Sequence, residues 1–465
     1  MQELTGYFRC PEEFIDLRRP ENLSGDSGYF CFGPDTICYG RSAAGFRARR
    51  VSHHLYDVKD DVRFDNAGAV LPFDLTEVVS NLRYERYVDG SASALTRFAR
   101  NAIRKAYYLA RPLMSVSIRK HLQKIHLQGW QNLAFPRWPV DTSVDALLEK
   151  LMALAIRCRG GESIPFIWFW PEGSNAGAVM THDVEEAAGI DMCSKLMDMN
   201  ESFGIPASFQ IVPEKRYSVS QKFLENVRSR GFEVNVHDLD HDGRLYWNHE
   251  EFKRRAAKIN RYGREYGAVG FRAGILYRNQ EWFDSLEFEY EMSVPNVARL
   301  DPQRGGCCTV MPYFVGKILE LPVTTTQDYS LFHVLNTYSL SLWEQQIDII
   351  LQKHGMVSVI AHPDYITGPR EEKTYRGLLG LYARLRRDHN VWIALPREVN
   401  TWWRQRSQMR LVQRSGHWSI EGPGSERAAV AFASLENDQL TYSIQQPSGE
   451  VTKPSPNPYA AAGAG

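Results

Sequence analysis

Six side chains of this sequence have the types and spacing to hydrolyse an amide. They are Asp183 and Glu185 in Thr181-His182-Asp183-Val184-Glu185, His237 and His241 in a His-x-x-x-His spacing, Arg272, and His362, with Asp364 two residues beyond it. On an extended segment Asp183 and Glu185 share one face, because strand side chains alternate with period two. A four-residue offset puts His237 and His241 on one face of either a strand or a helix. Two carboxylates and two imidazoles could therefore surround one divalent ion and leave a position open for water.

These groups need elements that bring them to one place. Each follows a β-like apolar run, at 176–180, 232–236, 268–271 and 356–361, and side chains at successive strand ends converge on one rim of a sheet or barrel. The surrounding pattern alternates. Strands are expected at 176–182, 207–212, 232–237, 268–272, 319–323, 356–361 and 391–395. Helices are expected near 188–203, 218–230, 249–266, 280–286, 340–354, 373–388 and 397–405. Repeated β-then-α units imply a parallel sheet, and about seven of them imply a barrel.

The chain is too long for one ordinary domain at 465 residues, and 43% hydrophobic residues can fill at least one large core. The expected organisation is an α/β barrel at 161–408 with additions: a mixed N-terminal region at 1–160, a small β appendage at 409–446, and a Pro/Ala/Gly-rich disordered tail at 447–465. The N-terminal region includes a basic, helix-like stretch at 94–127 and a helix at 144–158. Tyr107, Tyr108, Leu109, Leu113 and Met114 are expected to pack against the rest of the protein rather than form a membrane-surface helix, because Pro112 interrupts the stretch.

Lys plus Arg equal Asp plus Glu at 55 each, so bulk charge attracts no polyanion and nucleic acid is excluded as a partner. The first residues show no basic segment followed by an apolar run, and no stretch reaches about 18 uncharged apolar residues. Seven cysteines without a C-x-x-C pair fit reduced thiols. The expectation is a cytoplasmic protein without a transmembrane segment. Adjacent Cys307 and Cys308 read as loop or core residues, and His249, His333 and His354 as surface or core residues.

The motif order resembles that of the polysaccharide deacetylase family, whose catalytic region is the NodB-homology domain of carbohydrate esterase family 4. It runs from an Asp-bearing strand end through His-x-x-x-His and an Arg-bearing strand end to a late strand ending in His, and covers roughly 175–400. The resemblance implies a distorted (β/α)7 barrel that removes the N-acetyl group of an amino sugar, polysaccharide or glycan precursor. It implies a divalent ion, zinc first, with cobalt, nickel or manganese as alternatives. Asp183 corresponds to the general base, Arg272 to the arginine that orients it, and His362 to the general acid. His237 and His241 correspond to the metal-binding pair. Val184 stands where the family has a second acid, which makes Glu185 the substitute ligand and leaves open an exchange of roles between Asp183 and Glu185. Gly274 stands where the family's Arg-x-Pro motif has proline.

Tyr246, Trp247 and Tyr277 follow motif residues and are candidates to line the substrate cleft, with Asp364 as a further contact. Trp168 and Trp170 read as packing residues, and Asp328-Tyr329 as a segment that reaches the rim. Two other functions fit the same residues. One is an allantoinase-like amidohydrolase acting on a small non-peptide C–N bond. The other is a non-catalytic glycan-binding protein that kept the barrel and lost the metal, which Val184 and Gly274 would then mark.

Overall fold

The computed structural model describes residues 1–445 and 451–452, apart from 46–47, 53, 91–101, 104–105, 109, 111–113, 115–121 and 123–124. Most of the basic stretch at 94–127 and nearly all of the expected tail lie outside the described residues. Among the described residues no helix is long and apolar enough to cross a membrane.

The chain is mixed α/β, built on a nine-stranded sheet. Ser208–Ile211 and Met356–Ala361 flank Ala176–Val184, and the sheet continues from Ser208–Ile211 through Glu233–His237, Gly270–Arg272, Tyr290–Glu291 and Ile318–Glu320, every pairing in this path being parallel. Tyr313–Val315 adds an antiparallel edge, and Val391–Ile393 pairs with 176–178 below the Ser208–Ile211 strand. The sheet curls until Thr324 and Thr325 meet Met356–Ala361. There the N–H of Thr325 donates to the Ser358 carbonyl at 3.3 Å, and the N–H of Ser358 donates to Thr324 Oγ1 at 2.8 Å. The closure rests on isolated bonds instead of a ladder, which is the distortion in this barrel-like sheet.

Alternation within the strands decides which groups face inward. In Glu233–His237, Val234 and Val236 join the apolar layer under the helices, while Glu233, Asn235 and His237 fall on the other face. In Ala176–Val184, Thr181 and Asp183 share the inward face, and Val184 packs into the helix-side core. The crossover helices bury one stripe each. His249–Tyr266 buries Phe252, Ala256, Ile259 and Gly263 at helical spacing, begins at Asn248, whose side chain accepts the Glu251 N–H, and ends at left-handed Gly267. After Tyr290–Glu291 no helix forms. Gly305 and Gly306, at φ 136° and 141°, and the tight Tyr313–Val315/Ile318–Glu320 hairpin occupy that connection.

The regions on either side of the barrel share one core. Val430–Glu436 pairs antiparallel with both Gln439–Gln445 and Ile164–Ile167. Ile164–Ile167, placed with the barrel on sequence, thus belongs to the C-terminal sheet. Phe8, Phe30, Leu148, Phe166, Trp168, Trp402, Ala431 and Ile444 fall in one buried cluster. Arg406, itself buried, donates to the carbonyls of Tyr7, Phe8, Ile167 and Trp168. Residues from both ends therefore build the floor beneath the sheet. Trp168 and Trp170 are fully buried there.

Candidate metal centre

Asp183, one residue before the end of its strand, is on the inward face, and Arg272 ends the strand three places along. The Arg272 guanidinium, fully buried, donates through Nη1 to Asp183 Oδ1 at 2.7 Å and to Thr181 Oγ1 at 2.8 Å, and through Nε to the Met292 carbonyl at 2.8 Å. Burial pushes the Asp183 carboxyl up, but Arg272, with His237 and His362 nearby, more than offsets this and holds it below the ordinary carboxylate range. A buried carboxylate kept ionised beside a guanidinium is equipped to accept a proton.

His237 closes its strand with Nδ1 3.1 Å from the Arg272 carbonyl. That contact requires a proton on Nδ1, so Nε2 carries the lone pair. The loop 238–241 then turns back on itself: Asp238 and His241 take left-handed backbone at φ 55° and 52°, and the two imidazoles lie 4.9 Å apart at their centroids. The pairing arises from a tight turn and not from the extended or helical face expected. Nor is this Asp-rich loop solvated. Asp238 is fully buried, and Asp240, 3% exposed, pairs with Lys215 and with Arg255 at 3.0 Å.

Glu185 follows the strand, with Oε1 2.9 Å from His241 Nε2, 4.0 Å from His237 Nε2 and 3.6 Å from His362 Nε2. Its backbone is pinned from elsewhere. The Asp364 oxygens accept the N–H groups of Glu185 and Glu186, each at 3.0 Å, at the start of helix Ala187–Phe203, and Gly189 leaves room for that carboxylate, since a Cβ there would stand 2.5 Å from Asp364 Oδ2. Asp364, expected as a further substrate contact, reaches the cavity wall, and each of its oxygens also accepts one of these N–H groups, which holds Glu185 in place.

The donor atoms of Glu185, His237 and His241 all lie within 4.8 Å of one another. The Nε2 of His237 is buried without a hydrogen-bond partner, and the Nε2 of His241 is buried against Glu185 Oε1 at 2.9 Å. A buried nitrogen without a partner is costly, and a divalent ion among the three side chains would satisfy it. Two imidazoles and a carboxylate are a donor set that zinc and its neighbours accept. The site therefore fits a divalent metal. Gly274 belongs to this fit: a Cβ on it would lie 2.5 Å from Asp238 Oδ2 and 2.8 Å from His241 Cδ2, so the imidazole occupies the space a side chain would need. Val184 faces the helical layer and has no access to the donors.

His362 ends strand Met356–Ala361 and is held by Asp328, whose Oδ1 lies 2.6 Å from His362 Nδ1. Burial lowers the imidazole's basicity, but Asp328 and Glu185 reverse this and raise it well above the ordinary histidine value. Tyr365 donates to Glu185 Oε2 at 3.3 Å, and Arg216 ties the loop down through the His241 carbonyl at 2.7 Å. Neither residue carries a motif that singles it out. Among residues set aside, Cys307 and Cys308 are buried, and burial pushes the Cys307 thiol up to about 12.

A cavity of about 1940 Å³ opens above these groups, and Glu185, His241 and His362 form part of its wall. Tyr246, Trp247 and Tyr277 also line it. Tyr246 stacks on Phe252 and Trp282, Arg244 lies 4.9 Å over the Trp247 ring, and Tyr277 meets Tyr108 edge-on at 5.8 Å.

No protein-family model matches the chain, and no curated protein matches it. Solved structures similar to it include one described as a polysaccharide deacetylase from Mycobacterium smegmatis, at 16% identity and TM-score 0.41, covering 51% of this chain and 93% of that one. An allantoinase is similar at 12% identity and TM-score 0.39, covering 50% and 92%. Another, described as a polysaccharide deacetylase from Pseudomonas aeruginosa, is similar at 13% identity and TM-score 0.38, covering 50% and 92%.

Proposed function

We propose that this protein is a metal-dependent hydrolase that removes the N-acyl group, acetyl in the simplest case, from an amino sugar. The observation that carries the reading is a base–guanidinium pair and an acid–carboxylate pair beside one donor set. Asp183, paired with Arg272, lies 3.9 Å from His237 Nε2, and His362, paired with Asp328, lies 3.6 Å from Glu185 Oε1. Those three side chains would hold a divalent ion, which would supply Lewis-acid polarisation of the amide carbonyl and a lowered pKa for a water.

The chain's own groups then move the protons. Asp183 accepts a proton as the water's oxygen bonds to the carbonyl carbon. Arg272 keeps Asp183 ionised until that moment and aimed at the cavity. His362, protonated at neutral pH, gives its Nε2 proton to the nitrogen as the C–N bond breaks, and an acid and a free amine leave. Trp247, half-buried in the cavity wall, supplies a ring on which a sugar can rest, beside the packed Tyr246 and Tyr277.

Two imidazoles and a carboxylate also suit iron oxygenases. The paired base and acid favour hydrolysis, which needs both. The test is acetate release from N-acetylglucosamine oligosaccharides by the zinc- or cobalt-loaded protein, with allantoin and other small amides in parallel. Acetate release supports the reading. Turnover of the small amides alone moves the assignment to an amidohydrolase. Failure to bind a divalent metal on titration ends it in favour of a non-catalytic glycan-binding protein.

A further inference from the structure

Glu185 presents one oxygen to the imidazoles and turns the other away from them. Its Oε1 lies 2.9 Å from His241 Nε2, 3.6 Å from His362 Nε2 and 4.0 Å from His237 Nε2, while Oε2 accepts the Tyr365 hydroxyl at 3.3 Å. The side chain has three torsions and stands just past the end of its strand, so the strand alone does not fix the rotation of the carboxylate. The turn Pro363–Tyr365 does. Asp364 holds the N–H groups of Glu185 and Glu186, each at 3.0 Å, and the next residue holds Oε2. That turn continues directly from His362, whose carbonyl accepts the Tyr365 N–H at 3.0 Å.

The Tyr365 ring is itself braced. Its centroid lies 4.8 Å from that of His362, 5.1 Å from His333 and 5.6 Å from Tyr329. A ring packed by three others puts its hydroxyl in one place, and a phenol keeps its proton at neutral pH and so can donate.

The consequence of that donation follows from coordination chemistry. A carboxylate binds a divalent ion through one oxygen or through both. Two imidazoles and one carboxylate oxygen leave a position for water, as catalytic sites do, and a second oxygen from the same carboxylate would take that position. We infer that Tyr365 is a positioning residue, which keeps Glu185 a one-oxygen ligand and so keeps a coordination position open beside His362. This rests on the metal-dependent reading of the same site. The turn that follows the proposed acid thus also sets how the ligand opposite it can bind.

Tyr365→Phe removes the hydroxyl and keeps the ring with its packing. The test uses the full chain loaded with cobalt, whose visible spectrum reports the ligands around the ion, and azide as the probe of the open position. Without its donor, Oε2 competes with azide. A hydrogen bond to a charged group is worth about tenfold in an equilibrium. Azide should therefore bind about tenfold more weakly, or worse, to Tyr365→Phe, while cobalt binds as tightly as to the unsubstituted chain or more tightly.

Equal azide affinity in the two proteins overturns the inference. So does weaker cobalt binding by the variant, which would make Tyr365 a support for the ligand and not a control on its second oxygen. Should the unsubstituted chain bind cobalt and azide yet release no acetate, the deacylase reading fails, and the azide comparison still decides the role of Tyr365. An unsubstituted chain that binds no cobalt rejects both.

Discussion

Asp328 grips His362 twice: one carboxylate oxygen lies 2.6 Å from the ring Nδ1, and the other accepts the His362 backbone N–H at 2.7 Å. One side chain thus fixes the ring's orientation, its tautomer and its charge, and leaves Nε2 directed at Glu185 and the cavity. Asp328→Asn keeps the shape and removes the charge. The expected result is a loss of about 10²-fold or more in kcat with KM and metal content little changed. An unchanged kcat in steady-state assays would remove His362 from the acid's role.

The donor set makes a separable forecast for metal and turnover. His237→Ala and His241→Ala should lose bound zinc and activity together, read by metal analysis and acetate release. Asp183→Asn should retain zinc and lose turnover by about 10²- to 10⁴-fold, since it removes a base. Glu185→Gln should release the metal. If Asp183→Asn strips the ion and Glu185→Gln does not, the roles of the two acids are exchanged.

Gly274 offers a test that touches no proposed ligand. In Gly274→Ala the new Cβ pushes on Asp238 and on the His241 ring. Metal affinity should fall about 10- to 100-fold, the usual cost of disturbing a ligand's supporting shell, while the thermal transition stays cooperative. Unaltered affinity in a competition titration would mean that His241 is not a ligand or that the turn yields freely.

Stability carries a pH signature from the barrel interior. Burial raises the Glu233 carboxyl from 4.5 to about 7, against the opposing bonds from the Tyr290 hydroxyl and the Arg397 N–H. The unfolded chain loses this proton near 4.5 and the folded chain near 7. Between those values the folded state binds more protons, so this group's contribution falls as pH rises through the window. The loss is on the order of 3 kcal/mol by pH 8. Denaturant titrations of the protein and of Glu233→Gln should converge at high pH less one constant offset, with the extra slope between pH 4.5 and 7 present only in the unsubstituted chain. Parallel curves would refute the assignment.

A chain beginning at Gly161 should be insoluble. It lacks Tyr7 and Phe8, whose carbonyls accept from buried Arg406, and it exposes the faces of Phe166 and Trp168 that the N-terminal helices cover. A soluble, cooperatively melting product of that length would show that the barrel needs no such floor.

Much of this arrangement could be read from residue order. The apolar runs before Asp183, His237, Arg272 and His362 have the period and length of buried parallel strands, and the structure brings those four ends together. The crossover helix His249–Tyr266 falls where the alternating pattern put a helix, near 249–266. Tyr365 and Arg216 were not legible, because their contacts depend on how loops from different strands meet, and nothing local encodes that. Gly274 looked like a departure from a motif and is instead a space left for His241. Its meaning lies 33 residues away in the sequence, at a backbone turn that no periodicity announces. The joining of Ile164–Ile167 to Val430–Glu436 was hidden for a similar reason, since a short apolar run does not name its partner.

That last pairing bears on how the protein is made. Strand 164–167 leaves the ribosome more than 260 residues before the strand it pairs with. At about 5–20 residues per second during synthesis, the edge of strand 164–167 waits for tens of seconds without the strand it pairs with. Contacts this distant along the chain also form slowly after release. The nascent protein is therefore a natural client for chaperones that shield exposed strand edges, and its yield should depend more on synthesis speed and temperature than its final stability would suggest.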